Sequence, residues 1–348
     1  LSRSDLIKNE LFNAFGERDD KSEQEIVELW DEMRDTLESR KANVDLFLFH
    51  HINSLPESPD LRKKLDERRG LSSNADYVPP VPEKYLFDVY TEKLRDSPTV
   101  PDFLIELKIS ADNYVDIVDP APDQLSLLTL KALNINKCYP LLLRGKRVLN
   151  DVNFGRLAKA LEVISFRHSI IRGEPKDLET LYYKVLTKLK GNDDIGEIID
   201  DIGQHSSVKN TQKFRSEFIT ASPKIAVAKI ILDRIIGLHS ERINWKAKDV
   251  HLEHILPQTA AGKWRILYDQ DKTLYADFCG RLGNLTVLKG KKNVAIKNAD
   301  FDIKKKAYDG SIIPITKELA AYDDWNYDSI QKRQELLYES AEIIWTIN

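Results

Sequence analysis

A histidine and a carboxylate lie side by side at the end of a short apolar segment in the last third of the chain. The segment is HLEHILP, residues 251–257, in which Glu253 and His254 shortly precede Pro257. An imidazole can accept a proton from water, and a carboxylate can bind a divalent cation. Together with an oxygen ligand from a facing helix start, this pair suits the hydrolysis of a phosphodiester.

The surrounding sequence predicts the elements that position this pair. Alternation over residues 250–256 predicts a first strand, which ends at Pro257 because proline has no N–H to donate to a strand ladder. Residues 258–283 are polar, aromatic and punctuated by glycine, so we predict a long loop of a length that is usually functional. LTVL, residues 285–288, predicts a second strand, and the composition from Lys291 onward favours a helix. The predicted core is therefore strand, strand, helix (ββα).

This order and spacing resemble the HNH-type endonuclease motif. The matching positions are Glu253-His254 with Pro257, then Asn284-Leu285, and then Asn293, nine residues after Asn284. The wider pattern is similar to the C-terminal nuclease of GmrSD-type modification-dependent restriction enzymes. The further shared residues are Asn298, Phe301, Lys305, Trp325, Ile330, Arg333, Leu337 and the pair Ile344-Trp345.

The resemblance implies a role for each matching residue. His254 would be the general base, Glu253 and Asn293 would be metal ligands, and Asn284 would orient the histidine or tie the loop. Glu253 stands where aspartate is commoner, and Asn293 stands where the motif ends in histidine. Oxygen ligands of this kind suit Mg²⁺ or Mn²⁺ better than zinc. A lone H-x-x-P or a lone GNL is an ordinary structural feature, so the prediction depends on the whole series in order.

A local basic run follows the motif, although the formal net charge of the chain is −4. Residues 289–306 hold seven lysines against two aspartates. Protein contact with nucleic acid needs a local positive patch and not a basic whole chain. A solvated helix face is the alternative, and we favour phosphate contact because the run follows a nuclease motif. The candidate DNA-binding residues are Lys289, Lys291, Lys292, Lys297 and Lys305.

The chain upstream predicts a helical array, so the expected fold class is mainly α, followed by a C-terminal α+β domain with the ββα-metal core. The expected domains are a helical domain over residues 1–210 and a nuclease domain over residues 211–348. The acidic, glycine-punctuated residues 191–210 predict a linker or a short solvated helix at the boundary, and residues 68–82 predict a linker further upstream. The predicted helices span residues 83–95, 101–118, 123–134, 154–172, 176–190, 223–238 and 325–345. The last of these is amphipathic, and we expect it to pack on the domain through Ile330, Leu336, Leu337, Ile344 and Trp345.

Composition limits the class of protein and the cellular compartment that fit this chain. Two cysteines are too few for a disulfide framework or a four-cysteine zinc site, which indicates a reducing cytoplasm. No apolar run is long enough to span a membrane. The chain begins at Leu1 and its only methionine is Met33, so we expect a fragment of something longer. LSRSDLIKN, residues 1–9, resembles the end of the ParB-like N-terminal domain of the same restriction enzymes, whose nucleotide-associated motif is absent here.

The expected function is divalent-metal-dependent cleavage or nicking of DNA. By resemblance, the substrate would be modified or phage DNA, the role would be defence, and the nucleotide-binding N-terminal domain would be missing from this chain. A homo-oligomer is an open option for its assembly. Two alternatives stay open: a DNA-binding or regulatory module whose catalytic site has decayed, and a helical interaction scaffold.

Overall fold

The chain is mainly helical and carries one small antiparallel sheet. The computed structural model describes residues 2–15, 20–56, 80–96, 99–289 and 296–347. Among these residues, no helix combines the length and the apolar character needed to cross a bilayer. The described helices are α1 (Arg3–Phe15), α2 (Asp20–Ser39), α3 (Val44–Ser54), α4 (Leu86–Asp96), α5 (Val100–Val118), α6 (Leu125–Ala132), α7 (Tyr139–Val148), α8 (Asp151–Ile170), α9 (Pro175–Lys188), α10 (Ile195–Gly203), α11 (Ser206–Lys209), α12 (Thr211–Phe218), α13 (Ile225–Ile236), α14 (Trp264–Gln270), α15 (Lys272–Gly280), α16 (Phe301–Asp309), α17 (Pro314–Lys317) and α18 (Tyr327–Ile344).

The contacts divide the chain into two compact units. Unit 1 comprises Leu1–Glu162 and Glu174–His205, and unit 2 comprises Val163–Gly173 and Ser206–Asn348. Unit 1 is helical throughout its described residues. Unit 2 contains strands β1 (Val250–His254) and β2 (Leu285–Lys289) together with the helices around them.

Unit 1 is held together by apolar stripes at helical spacing. In α2, the residues Ile26, Trp30, Met33 and Leu37 recur every three or four positions, and all four are buried. This stripe packs on α5, which also lies against α3 and α7. The helices predicted from sequence for this unit are therefore present, with ends that differ by a few residues.

The adjacent histidines of α3 belong to the core of unit 1. His50 lies 2.8 Å from the Tyr114 hydroxyl through Nδ1, and His51 lies 2.7 Å from the Ser110 hydroxyl through Nδ1. Both side chains are at most 2 % exposed. Burial lowers the pKa of each imidazole to about 3, with a smaller contribution from nearby cations. These hydrogen bonds and the burial make the pair part of the packed core.

Two expected linkers have different outcomes. Residues 191–210 are not a solvated segment, because α10 buries its isoleucines Ile195, Ile198, Ile199 and Ile202 and leaves its acidic residues outside. Of the linker expected over residues 68–82, residues 68–79 lie outside the described residues. In its described end, Val81 is buried and donates its N–H to Asn53 Oδ1 over 2.6 Å.

The segment over residues 258–283, expected to be a long loop, is mostly helical in unit 2. Helices α14 and α15 occupy it, and Asp271 caps α15 by accepting from the N–H groups of Thr273 and Leu274, each over 2.9 Å. Trp264 and Tyr275 are buried in the core of this unit. Burying these apolar side chains in short capped helices is more favourable in free energy than exposing them in a loop.

Helix α18 packs on the unit through one face, with one exception to the expected set. Ile330, Leu337 and Ile344 are seven residues apart and buried, and Trp345 follows at 0 % exposed. Leu336 was expected to pack as well, but it is 56 % exposed. It precedes the buried Leu337 by one residue, so it points about 100° away from that face.

The buried histidines of α3 predict an acid-sensitive unit 1. An unfolded histidine binds a proton below a pKa of about 6.5, whereas folded His50 and His51 stay neutral down to a pKa of about 3. The unfolded chain therefore binds more protons between these values, and stability falls as pH decreases from about 6.5. The expected slope is at most about 1.4 kcal/mol per pH unit for each histidine.

Calorimetry of the whole chain between pH 7 and 4.5 measures this slope. The double variant His50→Gln/His51→Gln is expected to lower the melting temperature at pH 7 and to flatten its pH dependence. An equally steep pH dependence in wild type and variant would contradict the assignment.

Candidate active site

The two-stranded sheet places the predicted base and carboxylate on opposite faces. Strands β1 and β2 pair antiparallel, with Glu253 opposite Thr286 and His254 opposite Leu285. Adjacent residues of a strand point to opposite faces. Accordingly Glu253 is 5 % exposed and faces the core, whereas His254 is half-buried.

Helix α16 supplies a cation to the buried carboxylate. Lys304 donates from Nζ to Glu253 Oε1 over 2.6 Å and to the backbone oxygen of His254 over 2.8 Å. The Tyr308 hydroxyl, one turn later, donates to the same Glu253 oxygen over 3.3 Å. Lys304 and Tyr308 are both fully buried. This cluster therefore fixes the end of β1 against α16.

Burial and pairing act in opposite directions on the two charges. Burial raises the pKa of Glu253, while the nearby Lys304 lowers it. Burial lowers the pKa of Lys304, while Glu253 raises it. Burial has the larger effect on both groups, so the pKa of Glu253 is raised and that of Lys304 is lowered overall. Each charge therefore depends on its partner, and the loss of either partner would leave a buried, unpaired charge.

The imidazole of His254 has the protonation state that a base needs. Burial, and then the charge of Lys304, lower the pKa of His254. The ring is therefore neutral at pH 7 and can accept a proton. Its Nε2 lies 3.4 Å from Nε2 of the exposed Gln258. A half-buried neutral imidazole of this kind can act on a water molecule at the protein surface.

The side chain of Asn284 ties the segment after β1 to the rest of the unit. Its Oδ1 accepts from the N–H of Leu256 over 2.7 Å and from Trp325 Nε1 over 3.1 Å. Its Nδ2 donates to the backbone oxygens of Leu256, over 2.9 Å, and Cys279, over 3.1 Å. These contacts use the full hydrogen-bonding capacity of the amide within the described residues. Of the two roles that resemblance allowed, they correspond to tying the loop.

The predicted lysines occupy different environments. Lys289 and Lys297 are exposed. Lys305 is partly buried and donates to the backbone oxygen of Tyr322 over 2.7 Å, so part of its role is structural. Lys291 and Lys292 lie outside the described residues, as does the predicted metal ligand Asn293.

The fit of a metal ion can be tested on the donors that are described. Within the described residues, no group of three or more histidine, cysteine, aspartate or glutamate side chains is arranged to hold a cation. Among the described residues, Lys304 and Tyr308 both contact Glu253 through Oε1. Oε2 is a carboxylate oxygen of the type that suits a hard cation such as Mg²⁺ or Mn²⁺. An amide oxygen from Asn293 would be of the same chemical type.

Sequence reasoning missed Lys304 and Tyr308 as parts of this site. The sequence places Lys304 within the basic run after the motif, but its neighbours Lys305 and Lys306 are partly buried and exposed, whereas Lys304 is fully buried. A signal was present, since Phe301, Lys304 and Tyr308 recur at spacings of three and four, which places them on one helix face. The two aromatic residues of that face are buried, and the lysine is buried with them.

The buried ion pair predicts a specific pattern of stability. Lys304→Met should destabilise unit 2 by about 3–5 kcal/mol because it leaves Glu253 buried without its cation. Adding Glu253→Gln should recover much of this loss. Urea unfolding monitored by tryptophan fluorescence measures both changes. Lys306→Met, on the exposed face of the same helix, is the matched control. Equal stability of the Lys304 and Lys306 variants would contradict the pairing.

Comparison with known proteins finds a family match for the C-terminal part of the chain. Residues 198–340, about two fifths of the chain, match the family model described as GmrSD restriction endonucleases, C-terminal domain. No curated protein matches the chain. The matched range contains β1, β2 and α16 and with them Glu253, His254 and Asn284. Residues 198–340 are therefore similar to the C-terminal domain of GmrSD restriction endonucleases.

Proposed function

We propose that residues 211–348 form a metal-dependent DNA endonuclease domain whose ββα core consists of β1, β2 and α16. The observation that carries this proposal is the position of His254. Its neutral imidazole lies at the end of β1, where Lys304 binds its backbone oxygen and Asn284 fixes the residues that follow. The similarity of residues 198–340 to a restriction endonuclease family supports a nuclease at this position.

The protein side of the mechanism is general base catalysis. His254 accepts a proton from a water molecule. The oxygen of that water attacks the phosphorus of the DNA backbone, and the bond between the phosphorus and the leaving oxygen breaks. Glu253, through Oε2, and Asn293 would hold a Mg²⁺ or Mn²⁺ ion, which when bound stabilises the charge that develops on the phosphate. Asn284 acts as a positioning residue, because it contacts the backbone next to the base and not the base itself.

The wider role follows from the family description. Restriction endonucleases act on foreign DNA, so we propose modified or phage DNA as the substrate and defence as the role. Exposed Lys289 and Lys297 would contact its phosphates. Lys305 would do so with less freedom, because its ammonium is bound to Tyr322.

A second candidate function is a DNA-binding module without cleavage. It is favoured by one contact, the ion pair that occupies Glu253 Oε1 with the ammonium of Lys304. If that ammonium were the carboxylate's permanent cation, no metal would enter, and the domain would bind DNA and leave it intact.

Plasmid nicking separates the two functions. The whole chain is incubated with supercoiled plasmid and Mg²⁺ or Mn²⁺, and conversion to open-circular or linear DNA is followed on a gel. His254→Ala is expected to reduce the rate by about 10²–10⁴-fold because the general base is lost. His251→Ala, in the same strand at an odd offset, is the matched control and should retain activity. DNA binding without nicking would support the second candidate and exclude the enzyme.

The exposed lysines predict a change in salt dependence. Lys289→Ala and Lys297→Ala should each weaken DNA binding and reduce the slope of log K against log salt by about 1, since each removes a phosphate contact. Fluorescence anisotropy with a labelled duplex at several salt concentrations measures the slope. Lys224→Ala changes another exposed lysine of unit 2 and serves as control. An unchanged slope in both variants would exclude these lysines from the DNA contact.

A further inference from the structure

Unit 1 contains an open pocket of about 570 Å³ that the nuclease proposal does not use. Its wall includes the end of α3, parts of α4, α5 and α7, and Lys190, two residues after the end of α9. This volume lies within the range of small-molecule sites in proteins. The charged residues that line it are Lys93, Glu106, Arg144, Arg147 and Lys190.

Among the described residues of the lining, four cationic side chains stand against one carboxylate. Arg147 forms an ion pair with Glu106 through Nη2 and Oε1. Lys93 donates to the backbone oxygen of Pro56 over 3.4 Å. These described side chains carry more positive than negative charge, and a concave wall concentrates the field of such charges. The pocket therefore favours an anion.

Arg144 supplies a rigid cation in this wall. Its side chain is buried, at 9 % exposed, and it donates from Nε to Leu189 O and from Nη1 to Ser54 O, each over 3.1 Å. These bonds use two of the five N–H groups of a guanidinium. A guanidinium already fixed by backbone oxygens loses little freedom when it binds a phosphate oxygen.

Two further observations agree with an anion site. Charges on Arg147 and Lys93 add to burial in lowering the pKa of His51, which also lines the pocket, to about 3. Burial lowers the pKa of Arg144 and of Arg147, which indicates cations that lack full hydration. A bound anion would restore favourable interactions to all of them. The apolar part of the wall, with Phe103, Leu55 and Val148, offers space for a group attached to the anion.

We propose that this pocket binds a small phosphorylated anion, with two linked phosphates as the recognised group. The cations at its wall would share the phosphate oxygens, and Arg144 would be the fixed anchor. A single inorganic phosphate fills only part of about 570 Å³, so a diphosphate or a diphosphate with an attached organic group fits the space better.

Calorimetric titration of the whole chain with sodium pyrophosphate tests the proposal. Binding is expected, and Arg147→Ala/Lys190→Ala should weaken it about tenfold or more because charge-assisted hydrogen bonds are lost. Lys190 is exposed and the side chain of Arg147 is 32 % exposed, and neither belongs to the buried core, so the fold should tolerate their loss. Lys176→Ala, an exposed lysine of α9 outside the pocket lining, is the matched control and should bind like wild type.

Parallel titrations with a nucleoside diphosphate and with orthophosphate identify the source of the group. Tighter binding of the nucleoside diphosphate than of pyrophosphate would support an organic group in the pocket, and equal binding would support the diphosphate alone. The proposal is overturned if pyrophosphate does not bind at millimolar concentration, or if the double variant binds it as wild type does. It is also overturned if a DNA duplex, and not pyrophosphate, loses affinity in the double variant.

Discussion

The buried amide of Asn284 is the interaction on which the candidate site depends. It joins three separate segments: the turn after β1 at Leu256, the end of α15 at Cys279, and Trp325. Asn284 is 0 % exposed, so each of these hydrogen bonds is made away from water. A buried donor or acceptor that loses its partner costs about 1–3 kcal/mol, and here one side chain serves several partners. The position of His254, two residues before Leu256, follows from this junction.

The glycine before Asn284 has a packing role of its own. Gly283 lies so close to α18 that a β-carbon would collide with the backbone oxygen of Ile330 and crowd Gln334. Its N–H donates to Gln334 Oε1 over 2.9 Å, and its carbonyl accepts from Arg333 over 2.7 Å. The pair GN thus lets α18 approach β2 and lets the amide reach Leu256. These two residues hold together the segments that surround His254.

Parts of this arrangement are predictable from sequence. Alternation and Pro257 locate β1, LTVL locates β2, and apolar periodicity locates the long helices. The burial of Lys304 is harder to predict. Its spacing from Phe301 and Tyr308 places it on an apolar helix face, but a lysine in a basic run usually faces solvent, and its partner Glu253 lies 51 residues away in the chain. The helices in residues 258–283 are not predicted because each is shorter than three turns. A segment of that length is too short for a helical period of apolar residues to be recognised.

The ion pair and the amide junction together define how α16 and β1 form one site. Lys304 binds both Glu253 and the backbone of His254, so a single side chain couples the carboxylate to the strand end that carries the base. The sheet alone would leave Glu253 and His254 on opposite faces with no connection except the chain. Through Lys304, the position of the Glu253 carboxylate and the position of the end of β1 depend on one another.

Thermal unfolding of Asn284→Asp tests the central claim most directly. The substitution keeps the shape of the side chain but replaces two N–H donors by an oxygen that faces the carbonyls of Leu256 and Cys279. We expect a loss of about 3 kcal/mol or more, which lowers the unfolding midpoint by about 6 °C or more. Asn298→Asp, at an exposed position, should leave the midpoint nearly unchanged. Equal midpoints for the two variants would contradict the account.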